Sequence, residues 1–177
     1  FLMYRFSILL LDGSLLMLDM NTKSRIDYRE IRLDDFPALS FLGSLMHKES
    51  SYSHLKFSNR RLLDTFNSYL EDSDRTVFIA MRDEEPLGLY AGYLAKYYFS
   101  DELVANDIAW FVVKEKRGSS IGLRLLSCFE NWAKDRGASE VRIGYSTDIN
   151  PDSFDSLMRK RGYSRVGANY RLENKNV

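Results

Sequence analysis

From about residue 25 onward the spacing of hydrophobic residues changes period several times, and each change marks an element. "IDYREI" (Ile26–Ile31) alternates as a short strand does. Asp34 then caps a helix whose apolar residues Phe36, Leu39, Leu42 and Leu45 or Met46 recur at helical spacing. The polar, serine-rich "HKESSYSH" interrupts the pattern. A second helix follows from about Ser58, with Leu62, Leu63, Phe66, Tyr69 and Leu70 on one face. "RTVFIAMR" and "LGLYAGYLAKYYF" read as two long strands joined by "DEEPLG", where Pro86 and Gly88 are expected to make the bend. "NDIAWFVVK" is nearly all apolar, as a strand covered on both faces should be. A third helix carries Ile121, Leu125, Phe129, Trp132 and Ala133 in one stripe and stops at Gly137. "SEVRIGYS" predicts another strand, Asp152–Arg161 a fourth helix, and "YSRVGANYRLE" a last strand or bent pair. The order β-α-α-β-β-β-α-β-α-β predicts a mixed sheet with helices on its faces.

The first twenty residues fit this scheme poorly. "FLMYRFSILLLDGSLLMLDM" is apolar, but Asp12–Gly13 breaks it into runs too short to cross a bilayer. It carries no small-residue signal cleavage site. It reads either as a hairpin closed by Asp12–Gly13 or as a leader upstream of a start at Met17 or Met20. The expected organisation is residues 1–24 as apolar leader or non-native extension, 25–173 as a single domain and 174–177 as a disordered tail.

Composition narrows the partners. A 177-residue chain with 45% hydrophobic and 28% charged residues buries a core of ordinary size. Twenty-five basic residues balance twenty-five acidic ones, which argues against a nucleic acid or an anionic membrane as partner. The single cysteine, Cys128, rules out an internal disulfide and suits a cytoplasmic location. With no paired histidine nearby, Cys128 reads as a small core residue. His47 and His54 with Glu49 lack compact metal-ligand spacing and read as a solvated loop, so no metal is expected. Tyr97, Tyr98, Phe99 and Trp110 read chiefly as packing along the sheet, or else as a groove wall.

The turn between the all-apolar strand and the third helix carries the chemistry. A helix that starts directly after a buried strand aims its free N–H groups and its positive dipole end outward. Small residues let an anion reach that backbone, and an arginine adds a charge-assisted contact. Arg117, Gly118, Ser119, Ser120, Ile121 and Gly122 supply these parts for a diphosphate. The spacing fits neither a dinucleotide fingerprint nor a P-loop. An ordinary loop would also account for the six residues taken alone.

With the element order around it, the chain resembles the GNAT superfamily of N-acetyltransferases. Their acyl-CoA loop reads Arg/Gln-x-x-Gly-x-Gly/Ala after the fourth strand; "RGSSIG" matches at Arg117 and Gly122, with Ser120 in place of the central glycine. The resemblance runs from "REIRLDDFPAL" to "RKRGYSRVG". It implies an α/β (α+β) fold with a mixed, mostly antiparallel sheet of six or seven strands and four helices. It also implies acetyl-CoA as donor and transfer of an acetyl group to a primary amine of a small molecule or protein. A degenerate relative that senses acyl-CoA or binds a partner is the alternative.

The same resemblance assigns roles. Phe111, Val112 and Val113 would meet the pantetheine arm and polarise the thioester carbonyl, and Asn150 would add a pantetheine contact. Asp107 stands where relatives carry a glutamate base, while Asp101 and Glu102 would hold a cationic acceptor or relay protons. All three acids also read as solvated loop carboxylates. The usual acid tyrosine is missing: counting back from Gly162 gives Met158, and counting forward from Asn150 gives Leu157. Water, Tyr145 or Ser146 is then left to protonate the thiolate. Neither the acceptor nor the choice between monomer and homodimer is legible.

Overall fold

The computed structural model describes residues 24–145, 151–167 and 170–172, with two short strands before them. These strands, β1 (Leu10–Leu11) and β2 (Ser14–Leu15), pair antiparallel, with Leu10 opposite Leu15. The turn expected at Asp12–Gly13 and the rest of residues 1–23 lie outside the described residues.

Among the described residues the main sheet has five strands in the order β3-β4-β5-β6-β7. They are Asp27–Glu30, Arg75–Arg82, Glu85–Lys96, Leu103–Val112 and Glu140–Arg142, antiparallel except for the parallel β6–β7 pair. It is flanked by α1 (Phe36–Glu49), α2 (Asn59–Glu71), α3 (Ile121–Asp135) and α4 (Pro151–Lys160), four helices among the described residues. The mixed, mostly antiparallel architecture is the expected one. The strand count is lower, because "YSRVGANYRLE" forms no strand among its described residues. Val166, Tyr170 and Leu172 are exposed there, and β7 offers only three residues of edge to pair with. No helix among the described residues is long and apolar enough to cross a membrane.

Two hydrophobic clusters sandwich the sheet. Leu39, Leu42, Phe66 and Tyr69 of α1 and α2 close on Val77, Ile79, Leu89, Ala109, Phe111 and Val113. On the other face Ile121, Leu125, Phe129 and Ala133 of α3 cover Phe78, Tyr90, Leu94 and Ala105. The α3 stripe is the one the periodicity predicts, apart from Trp132, which is half-buried. Phe129 is fully buried, and it fits because Gly92 lies beneath it: a Cβ there would stand 2.3 Å from the ring.

Local chemistry sets the boundaries. Ser58 caps α2 by accepting the Arg61 N–H, as its position predicts. At α1 a short 3-10 turn (Leu33–Asp35) intervenes, so Asp35, not Asp34, holds the start of the helix. The buried Asp35 carboxylate takes two bonds from the Arg29 guanidinium, at 2.6 and 2.8 Å, and one from the Arg32 N–H, which together keep its pKa low. The β4–β5 hairpin turns at Asp83–Glu84, with Asp83 at φ 53°, and not at Pro86 and Gly88. Pro86 sits inside β5 next to a register shift, a place where a missing N–H is tolerated. Tyr98 and Phe99 are exposed at the β5–β6 turn and are not core.

Candidate active site

The site grows from the way β6 leaves its neighbours. β6 pairs with β7 only across Val104–Asn106, and past Asn106 it has no strand partner on that side among the described residues. At the point of divergence the Asp107 carboxylate accepts the Gly144 N–H at 2.7 Å, closing the crotch of the fork.

A β-bulge sits at the same place. Ala91 pairs with Ala109 and Gly92 with Asp107, so Ile108 is the extra residue. Without it, Asp107 and Trp110 would point to opposite faces. With it, Ala105, Trp110 and Val112 all pack in the α3-side cluster, Asp107 shares the face of Gly92, and Ile108 is pushed out to 56% exposure. The apolar run "DIAWFVV" carries no sign of this, because it suits both faces equally.

The strand edge can be read residue by residue. Val113 donates its N–H to Leu87 O at 3.0 Å, toward β5. Alternation along an extended strand sends the Phe111 N–H the same way and those of Trp110 and Val112 toward the open fork. The Val112 carbonyl, which faces that side too, takes Arg117 Nε at 3.0 Å. Of Phe111, Val112 and Val113, only Val112 turns its N–H toward the open fork. Phe111 and Val113 are core residues with their amides turned inward, and Trp110 takes the second outward position.

Beyond β6 a 3-10 turn (Lys114–Lys116) leads to Gly118, whose φ of 80° suits a residue without a side chain. The Ser119 hydroxyl donates to Lys116 O at 2.6 Å, so it braces the loop instead of offering a free donor. Ser120 is the N-cap of α3 and makes no side-chain cap bond. Among the described residues, the backbone N–H groups of Ser120, Gly122 and Leu123 have no acceptor, whereas Ile121 makes only a long bond to Ser119 Oγ (3.4 Å). The helix mouth therefore presents an uncovered cluster of donors. Arg117 does not project freely. Its guanidinium pairs with Glu49 at the end of α1 and lies 5.4 Å from the Phe111 ring centroid.

The helix mouth and the fork open into one cavity of about 550 Å³. It touches Arg117, Gly118, Ser119 and Gly122 at the loop, Asp107 to Trp110 and Val112 on β6, and Gly144–Tyr145 after β7. Lys116 and Leu123 also line it, with Met46, Ser50 and Tyr52 on one side and Phe154 and Leu157 of α4 on the other. Burial pushes the Asp107 carboxyl up to about 6, although the Gly144 N–H favours its charged form.

Sequence counting left Leu157 and Met158 as alternatives at the missing tyrosine's place, and the geometry separates them. Leu157 lines the cavity; Met158 is buried against α3. Tyr145 stacks on Phe154 with centroids 4.5 Å apart. Glu102 is elsewhere: it borders a shallow pocket with Tyr97 and Glu140 at the far end of β6, about 15 Å along the strand from Asp107. Asp101, beside it, pairs with Lys96 at 3.2 Å. Asn150 and Ser146 lie outside the described residues. Trp110, for which the sequence offered sheet packing or a groove wall, is half-buried against Tyr90 and Phe154 and lines the cavity.

No curated protein matches the chain in sequence. Solved structures with the same fold include the aminoglycoside N-acetyltransferase AAC(6')-Iy in complex with CoA, at 17% identity and TM-score 0.69, covering 88% of this chain and 99% of that one. An aminoglycoside acetyltransferase from an uncultured soil metagenomic sample, in complex with sisomicin, aligns at 16% identity and TM-score 0.65 over 85% and 97% of the two chains. A transcriptional regulator from Bacillus halodurans C-125 aligns at 15% identity and TM-score 0.70 over 85% and 100%. The family model described as acetyltransferase (GNAT) family matches residues 27–163, well over half of the 177. The chain belongs to the acetyltransferase (GNAT) family.

Proposed function

We propose that the protein is an acyl-CoA-dependent N-acyltransferase that moves an acetyl group from acetyl-CoA to a primary amine. The carrying observation is that the uncovered helix mouth, the free edge of β6 and a carboxyl titrating near neutrality share one cavity. In this reading the N–H groups of Ser120, Gly122 and Leu123 take the diphosphate. Arg117 joins them by turning from Glu49. The outward N–H groups of Trp110 and Val112 hold the pantetheine arm and steady the developing oxyanion. Acetyl-CoA supplies an activated thioester, whose carbonyl carbon forms the new C–N bond as its C–S bond breaks. Asp107, ionised above about pH 6, accepts the proton that the amine sheds. Tyr145 or water returns a proton to the departing thiolate, because Leu157 has none to give. The mixed charge balance and lone cysteine suit a cytoplasmic enzyme.

A second reading has its own observation: an apolar residue stands where relatives place the acid, which fits an acyl-CoA sensor or interaction module. Thiol release from acetyl-CoA across polyamines, aminoglycosides, arylalkylamines, amino acids and peptides separates the two. Amine-dependent release that is lost in Asp107→Asn supports the enzyme. Acetyl-CoA binding with silence across the whole panel supports the sensor.

A further inference from the structure

Resting on that reading, we infer that the acceptor is a monoamine with an aromatic or comparably bulky apolar body, and not a polycation. Asp107 is the only carboxylate lining the cavity among the described residues. Glu49 does not line the cavity, and the acids expected to attract a cationic acceptor, Asp101 and Glu102, lie at the other end of β6. The surroundings of Asp107 are apolar. Tyr145 follows the glycine bonded to Asp107, Phe154 stacks on Tyr145, and Trp110 stands 6.1 Å from Phe154 between centroids. Leu157 and the outward-turned Ile108 extend this wall. On the Tyr52 side the Arg171 guanidinium lies 6.0 Å from that ring's centroid and donates to Ser51 O at 3.0 Å.

These features set the preference by difference. A polycation entering the cavity would pair one ammonium group with Asp107 and desolvate the others against apolar walls, a cost that no other carboxylate among the described lining residues repays. A phenylethylamine-sized molecule brings one amine to Asp107 and buries its ring against Trp110, Phe154 and Ile108, with no charge left unpaired. The apolar side chain at the position of the missing acid acquires a role here, since Leu157 belongs to the acceptor wall.

The test compares kcat/KM for 2-phenylethylamine, spermine and sisomicin at saturating acetyl-CoA, with the acetyl-CoA-induced thermal shift measured on the same samples. The inference expects 2-phenylethylamine to exceed both polycations by about ten-fold or more. It also expects Ile108→Asp, a change at an exposed position, to shrink that ratio by placing a second carboxylate next to the first. Spermine or sisomicin equalling or exceeding 2-phenylethylamine would overturn it, as would an unchanged ratio in Ile108→Asp. A thermal shift without 2-phenylethylamine turnover overturns this inference while leaving acyl-CoA binding intact. Absence of the shift removes the proposed function, and the acceptor assignment with it.

Discussion

Asp107 holds a charge only at a cost to the fold. Its carboxyl titrates near 6 because burial disfavours the anion more than the Gly144 N–H favours it. A folded-state pKa above the unfolded one means that the residue supports folding at low pH and loses that support as pH rises through about 6. Asp107→Asn keeps an acceptor for Gly144 and removes the anion. The variant should therefore match the wild type near pH 4 and exceed it by about 1–3 kcal/mol at pH 8, the upper figure discounted for partial exposure. Denaturant titrations at the two pH values check this, and a stability gap independent of pH would reject the buried-anion account. The wild-type kcat/KM should fall on the acid side of about pH 6, while Asp107→Asn loses activity at every pH. Arg117 is engaged in a different way. Its pair with Glu49 is half-exposed and worth only about 0–1 kcal/mol, so a diphosphate can displace it. Glu49→Gln should tighten acetyl-CoA binding by up to about five-fold, and Arg117→Ala should weaken it. Calorimetric titration of both variants decides, and unchanged affinity in both would place the diphosphate away from Arg117.

At the scale of elements, the bulge in β6 does what no single side chain does. It places Asp107 on the face of Trp110, turns Ile108 into the cavity and starts the divergence from β7. Gly92, opposite Asp107, leaves room for Phe129 to lie over the bulged pair. A methyl group there would stand 2.3 Å from the Phe129 ring and 2.6 Å from Asn106 O, the second of which is backbone and cannot step aside. Gly92→Ala should therefore destabilise the protein by about 1–3 kcal/mol and lower turnover by moving Asp107. Gly167→Ala, where a Cβ meets nothing within 4 Å, serves as the control. Retained stability with normal turnover in Gly92→Ala would show that the bulge adapts freely. The same elements show what a sequence displays. The α3 stripe, the Ser58 cap and the extent of β4 follow from periodicity and local chemistry, which act within a turn or two of chain. The bulge, the outward amides of Trp110 and Val112, and the removal of Glu102 from the site depend on register between strands. Register in an all-apolar run leaves no trace in the order of residues.

For the whole molecule, the site lies between two halves that share β5 and β6. One face is packed by α1 and α2, the other by α3 and α4, and the cavity touches α1, α3 and α4 together. Met158, Phe154 and Leu157 of α4 pack into the α3-side cluster, with Phe154 also against Trp110, so the wall nearest the fork is an extension of that core. A ligand that bridges the helix mouth and the fork should therefore stabilise more than the loop alone, by adding contacts between parts that pack on opposite faces. At one hundred times its dissociation constant, acetyl-CoA should add about 2.7 kcal/mol, a rise in Tm of about 5–10 °C for a domain of this size. Desulfo-CoA, which keeps the diphosphate and most of the arm, should retain most of the shift. Inorganic pyrophosphate should retain little, since it engages the helix mouth without reaching β6. In hydrogen exchange the amides of Trp110 and Val112 should gain protection with acetyl-CoA and not with pyrophosphate. Equal shifts from pyrophosphate and acetyl-CoA would confine the stabilisation to the mouth of α3 and remove the arm from the fork, and with it the alignment of a thioester against Asp107.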